Sequence, residues 1–252
     1  MRKYIKIGLF ILQSVLIFII IGAITQPLSK NIQKLVLVEN FKKQAVFNEE
    51  ISTEDIKYYR IESDEKKQAF RNINKEVYPG FAGDILVSTQ SAIPNPFVRG
   101  FVTSTVGGHA GICVDSYEVS NVKIFDNQHI EASGLIGDDK CQVYDKYYWI
   151  DQNLHTEVIG LRMKMTDEEN KEFVQNAINF IGYPYNFSYI FNIKNSIYCS
   201  DLVSRSAHPL GFNLNKDNGP TTIYDIIVSS DTYIFYYHFY DSNGVRHIYY
   251  LD

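Results

Sequence analysis

Three residues in this chain have types and surroundings suited to nucleophilic acyl chemistry: Cys199, His109 and Glu131. Cys199 stands where the polar stretch Asn195-Ser196-Ile197-Tyr198 gives way to a helical apolar pattern. Leu202, Val203 and Ser206 recur at helical spacing, and Gly211 closes the run. A thiol at a helix N-terminus meets unpaired backbone N–H groups and the positive end of the helix dipole. Both favour thiolate, the nucleophilic form. Cysteine is also a common buried apolar filler, so a base must accompany the thiol before it reads as a nucleophile. His109, in Gly107-Gly108-His109-Ala110-Gly111-Ile112, supplies one. It follows two glycines and starts an apolar strand, so its ring projects from a rigid element. Glu131, in His129-Ile130-Glu131-Ala132, faces opposite to Ile130 by strand alternation. It can therefore point the way His109 points from a neighbouring strand, hold the imidazole in one tautomer and stabilise imidazolium. His129 shares that face and rivals Glu131 as the group beside His109. The plainer alternatives are a hydrogen-bonded core histidine and a solvent-facing glutamate.

The elements that must position these residues follow from periodicity. Ser52-Thr53-Glu54-Asp55 caps a helix carrying Ile56, Tyr59, Ile61, Phe70 and Ile73 on one face. Gly83 to Ser88 opens the first strand, and His109 to Val114 forms another. Val122 to Phe125 and Gln128 to Ala132 pair around an Asp126-Asn127 turn, and Tyr147 to Ile150 and Glu157 to Met163 extend the sheet. Thr166-Asp167-Glu168-Glu169 is a capping box, followed by Phe173, Ala177, Ile178 and Ile181 as a helical stripe that Gly182-Tyr183-Pro184-Tyr185 stops. The cysteine helix, a short helix from Ile223 to Ser229 and a strand from Tyr233 to Phe239 complete an α+β fold.

Composition narrows the class. The chain has 252 residues, 45% hydrophobic and 21% charged, which suits one or two globular domains. A net charge of -5 argues against nucleic acid as a partner. His155, His208, His238 and His247 are scattered without ligand spacing and no glycine-rich phosphate loop appears, so no metal or other cofactor is expected. Cys113 lies in an apolar strand and Cys141 in a polar loop; the two could pair and leave Cys199 free. At the N-terminus, Arg2, Lys3 and Lys6 precede an apolar run from Ile7 to Ile24, long enough for a membrane-spanning helix. The expected organisation is an anchor or signal segment over 1–26, a juxtamembrane linker and helical region over 27–76, and a catalytic domain over 77–252 on the extracytoplasmic side.

Four segments together resemble the permuted papain-like amidases of the YaeF/YiiX type, within the NlpC-type cysteine peptidase superfamily. They are Pro79-Gly80-Phe81-Ala82-Gly83-Asp84-Ile85-Leu86, Gly108-His109-Ala110-Gly111-Ile112, Ile130-Glu131-Ala132 and Tyr198-Cys199-Ser200-Asp201-Leu202-Val203. The resemblance implies a circularly permuted papain-like fold in which an antiparallel β-barrel or sheet precedes the catalytic-cysteine helix. It assigns Cys199 as nucleophile, His109 as base and Glu131 as the third polar residue. Gly182-Tyr183-Pro184-Tyr185 is similar to a Gly-x-Pro-Tyr stretch of the superfamily, which makes Tyr185 an oxyanion candidate beside the Cys199 N–H. Asp201 stands where secreted wall peptidases usually carry glycine, which favours the permuted branch. The activity implied is hydrolysis of an amide bond in a peptide or peptidoglycan-like substrate through an acyl-enzyme. Two alternatives stand beside it: lipid acyl transfer or ester hydrolysis, as in the related lecithin retinol acyltransferase group, and a catalytically silent binding module.

Overall fold

The structure, a computed structural model, describes residues 28–63, 69, 79–89, 108–114, 117–119, 122–124, 128–134, 138–144, 146–189, 194–216 and 219–252. The apolar run from Ile7 to Ile24 lies outside the described residues. Among the described residues, no helix is long and apolar enough to cross a membrane.

The order of elements begins with helix α1 (28–42). Strands β1 (Val46–Asn48), β2 (Ile56–Ile61), β3 (Ile85–Ser88), β4 (His109–Val114), β5 (Tyr117–Val119), β6 (Val122–Ile124), β7 (Gln128–Ser133) and β8 (Lys140–Tyr144) follow. After a 3-10 turn at Lys146–Ile150 come β9 (Glu157–Met163), α2 (Asp167–Ile178), α3 (Cys199–Ala207), α4 (Ile223–Val228), β10 (Thr232–Tyr240) and β11 (Arg246–Leu251). Nine of the strands form one sheet in the order β1-β2-β11-β10-β9-β3-β4-β7-β8. Every pairing in it is antiparallel except β11 with β2.

Several sequence expectations hold. Thr166 and Glu169 form a reciprocal capping box at the start of α2, where Phe173, Ala177 and Ile178 are buried. Gly211 ends the cysteine-helix segment with a left-handed φ of 88°. Others do not. Residues 28–42 form a helix rather than a linker, and of the helix expected after Ser52, Ile56, Tyr59 and Ile61 lie on strand β2 while Phe70 and Ile73 lie outside the described residues. Ser52 Oγ instead donates to the Asn48 carbonyl and accepts from Tyr58 N–H, while Thr53 Oγ1 accepts from Ile56 N–H. Such side-chain bonds serve a turn as well as a cap, and here the turn feeds β2 into the sheet beside β11. Val122–Ile124 pairs with Tyr117–Val119, not with β7, which lies between β4 and β8. The strand expected over Tyr147 to Ile150 is a 3-10 turn. A strand would send Tyr148 and Trp149 to opposite faces, whereas here both rings contact His109 and His129.

A buried ion pair ties the loop before β3 to β9. Asp84 accepts two hydrogen bonds from Arg162, both 2.7 Å, and also the Phe81 N–H at 2.8 Å. The guanidinium carbon lies 4.6 Å from the Phe235 ring centroid. Asp84→Ala would strip a buried guanidinium of its carboxylate, and we expect it to lower stability by about 3–5 kcal/mol. A urea titration checks this; a midpoint unchanged from the parent protein contradicts it.

Candidate active site

Cys199 is the first helical residue of α3 and only 2% exposed. Its extended approach is held by a parallel bridge between Tyr185 and Ile197, with Ile197 N–H donating to Pro184 and Asn186 N–H to Ile197. Tyr198 is the N-cap, in extended conformation, and its side chain does not cap the first turn. The backbone N–H groups there thus present the positive end of the helix dipole to the thiol. Ser200 pins the same turn by donating to the Thr221 carbonyl at 2.7 Å. The Cys199 Sγ lies 3.9 Å from the Gly108 carbonyl, next to His109.

His109 begins β4 because Gly108 lets the chain enter there. Gly108 has φ +89°, and a Cβ on it would lie 1.9 Å from the Ser88 carbonyl oxygen. Strands β4 and β7 are antiparallel, with Ile112 opposite Ile130. That register sets Glu131 across from Gly111 and leaves His109 on the diagonal, two residues further along the same face. The diagonal is bridged because Gly111 has no side chain: a Cβ there would meet Glu131 Cγ at 3.0 Å and Trp149 Cζ2 at 3.1 Å. Glu131 leans across this space and its Oε2 meets His109 Nε2 at 2.5 Å. Nδ1 is then the ring nitrogen turned away from Glu131, and the Cys199 side chain lies near enough to help raise the His109 pKa.

Burial opposes charge on both His109 and Glu131, and their partners outweigh it. Burial disfavours the His109 imidazolium, but the Glu131 carboxylate and the hydrogen bonds to Cys199 and Glu131 push its pKa from 6.5 up to about 10. Burial would raise Glu131, yet His109 and His129 hold its pKa down at about 2. His129, fully buried, places Nε2 2.6 Å from Glu131 Oε1. The carboxylate is thus flanked by two imidazoles rather than contested by them. His109 keeps 14% of its side chain exposed, whereas Glu131 has none.

Trp149 and His155 complete the surroundings, and neither stands out in the sequence. The Trp149 ring stacks on His109 with centroids 5.6 Å apart and on His155 at 4.6 Å, tilted by 12° and 8°. Burial, and then the charge on His109, depress the His155 pKa to about 3. A neutral ring is therefore stacked beside the charged one. The dense Tyr147-Tyr148-Trp149 cluster was the available signal, hidden by its reading as a strand.

Tyr185, the expected oxyanion candidate, bridges to Ile197, two residues before Cys199. Its hydroxyl donates to Tyr189 at 3.2 Å; burial raises its pKa well above the ordinary value, and the nearby Cys199 charge adds to this. Asp201, in the first turn of α3, is raised to about 6 by burial against the opposing Arg205. Cys113 and Cys141 are not joined by a disulfide. They lie on β4 and β8 with β7 between, so two strand spacings of about 4.8 Å part them, beyond the roughly 7 Å Cα limit of a disulfide. Cys141 is a buried strand residue rather than a loop one, and burial followed by the Glu131 charge raises its pKa. Among the described residues, no group of three His, Cys, Asp or Glu side chains could hold a metal ion.

With the geometry in place, comparison with known proteins adds the lineage. The family described as "Permuted papain-like amidase enzyme, YaeF/YiiX, C92 family" matches residues 81–222, which contain Cys199, His109 and Glu131. No curated protein matches the chain. Among solved structures, metalloprotein yiiX from Escherichia coli O157:H7 is similar, with 16% identity and a TM-score of 0.44, over 61% of this chain and 94% of that one.

The ion pair has a measurable pH signature. Because the His109 pKa is raised, the stability this residue supplies is complete below 6.5 and drains away as pH rises towards 10. Imidazole NMR should find His109 still protonated at about pH 8 and titrating far above the usual histidine range. His155, in contrast, should stay neutral under mildly acidic conditions. Titration of His109 at an ordinary value would contradict the buried pair.

Proposed function

The chain belongs to the C92 family of permuted papain-like amidases, and from that premise we propose that it cleaves an amide bond with Cys199 as nucleophile, His109 as proton carrier and Glu131 as the group that orients His109. The observation carrying this reading is His109 held between Glu131 and the Cys199 side chain, with its pKa raised enough to keep it charged at neutral pH. A charged imidazole beside a thiol at a helix N-terminus stabilises thiolate, which attacks the carbonyl carbon. The His109 proton passes to the leaving amine as the C–N bond breaks and a thioester to Cys199 remains. Water then gives a proton back to His109 and attacks the thioester, releasing the acid and returning Cys199 as thiolate beside the His109 imidazolium. Glu131 keeps Nδ1 turned to sulfur and balances the imidazolium before acylation and again as the thioester is hydrolysed. The first-turn N–H groups of α3 offer donors to the oxyanion, with Tyr185 as the side-chain candidate.

The substrate in this reading is a peptide or peptidoglycan-like amide. A lipid ester or acyl acceptor is the second reading, favoured by the apolar run from Ile7 to Ile24. That run is proposed to remain as a membrane anchor, with the catalytic domain on the extracytoplasmic side. Carbonate-washed membranes should then retain the whole chain; a soluble protein starting near Gln26 would refute the anchor.

Peptide, muropeptide and lipid-ester probes, each mixed with the protein and quenched in acid, distinguish the substrates. Intact-protein mass spectrometry should show one acyl group on Cys199, absent in Cys199→Ala. Glu131→Gln should lower turnover by about 10²- to 10⁴-fold while leaving the thiol in place. Failure of every probe class to acylate Cys199 would favour a binding module.

A further inference from the structure

Helix α1 is amphipathic in the wrong sense for a helix on a water-facing surface. Two of its lysines turn inward: Lys34, 5% exposed, meets both Glu157 carboxylate oxygens at 2.7 and 2.9 Å, and Lys30 reaches Asp225 at 2.5 Å. Val38 and Phe41 complete the docked side. Leu28, Ile32, Leu35 and Val36 point outward and are 52–56% exposed. At 100° per residue these four fall within about 100° of one another, a continuous stripe over more than two turns. Glu39 and Lys43 continue the same stripe with charge. The surface therefore changes from apolar to charged along the helix, with the apolar end towards the N-terminus.

The chain beyond that end names the occupant. The uncharged run closing at Ile24 lies four residues before Leu28. If that run is anchored in a bilayer, as proposed above and as this inference requires, the first turns of α1 stand at the membrane surface. We infer that α1 lies on the bilayer with Leu28, Ile32, Leu35 and Val36 against the acyl-chain boundary. Glu39 and Lys43 mark where the helix leaves it. An interfacial helix settles its apolar face about 5–10 Å into the headgroup region, which suits a stripe of this width. The two inward ion pairs make the contact an orienting device. Lys30 is joined to Asp225 of α4, and the Thr221 carbonyl just before that helix receives Ser200 of the cysteine helix. The membrane contact thus sets how the cysteine helix is presented relative to the bilayer.

Bromolipid quenching in the full chain tests this. The parent protein has a single tryptophan, Trp149, which is fully buried and serves as the unquenched reference. Ile32→Trp and, as a second position on the stripe, Leu28→Trp are compared with Leu37→Trp, about 140° around the helix from Ile32. In phosphatidylcholine vesicles brominated on the acyl chains, Ile32→Trp and Leu28→Trp should lose most of the added emission, while Leu37→Trp and Trp149 keep theirs. Sedimentation of the same samples after carbonate reads the anchor separately. A chain that sediments but shows no quenching at either stripe position overturns this inference and leaves the anchor standing. A chain that does not sediment overturns both. A blue shift that grows with protein density, without bromine quenching, assigns the stripe to a second copy of the chain and also overturns the inference.

Discussion

A carboxylate with no access to water has to be matched by positive charge or lose its own, and Glu131 is such a group. His109 answers that constraint with its charge. His109 and His129 flank its two oxygens at 2.5 and 2.6 Å, and the carboxylate stays ionised despite burial. The converse holds for His109, which is charged because Glu131 is. Each group's protonation state depends on the other's, so the site titrates as a unit rather than as separate residues.

That unit exists only because of what the backbone omits. Two glycines of β4 and its approach admit the close contacts. Gly108 passes the Ser88 carbonyl where no side chain fits, and Gly111 leaves the gap into which Glu131 and Trp149 reach. The Trp149 and His155 rings then close the region with an aromatic stack that adds no second positive charge. Low polarity around a paired charge strengthens the pair, at the cost of making each partner indispensable to the other.

The cysteine arrives from the far side of the topology. Strands β3 to β9 come before it and β10 and β11 after it, so the sheet is completed only when the C-terminal residues pair with β9 and β2. Anchors such as the Ser200 bond to Thr221 and the Asp84–Arg162 pair hold that composite frame together. The His109 strand precedes the Cys199 helix in the chain, and both lie within residues 81–222, which match the permuted papain-like amidase family.

The sequence by itself determined the local parts. A polar-to-apolar switch located the helix at Cys199, alternation put Glu131 opposite to Ile130, and the capping box started α2, because each depends on residues within a few positions of one another. Only the tertiary structure decided which parts meet. Alternation allowed Glu131 to face His109 but not the diagonal register or the space over Gly111 that closes their contact. The same distance from local pattern explains the misses. The side chains after Ser52 serve a turn as readily as a helix cap, and only pairing with β11, nearly two hundred residues away, settles that the segment is a strand. Tyr148 and Trp149 leave strand geometry, and from the 3-10 turn both rings meet histidines of the paired strands β4 and β7, a pairing no local pattern shows. Nor can periodicity show that α1 turns its lysines inward, since their partners Glu157 and Asp225 are brought to it only by the folded chain.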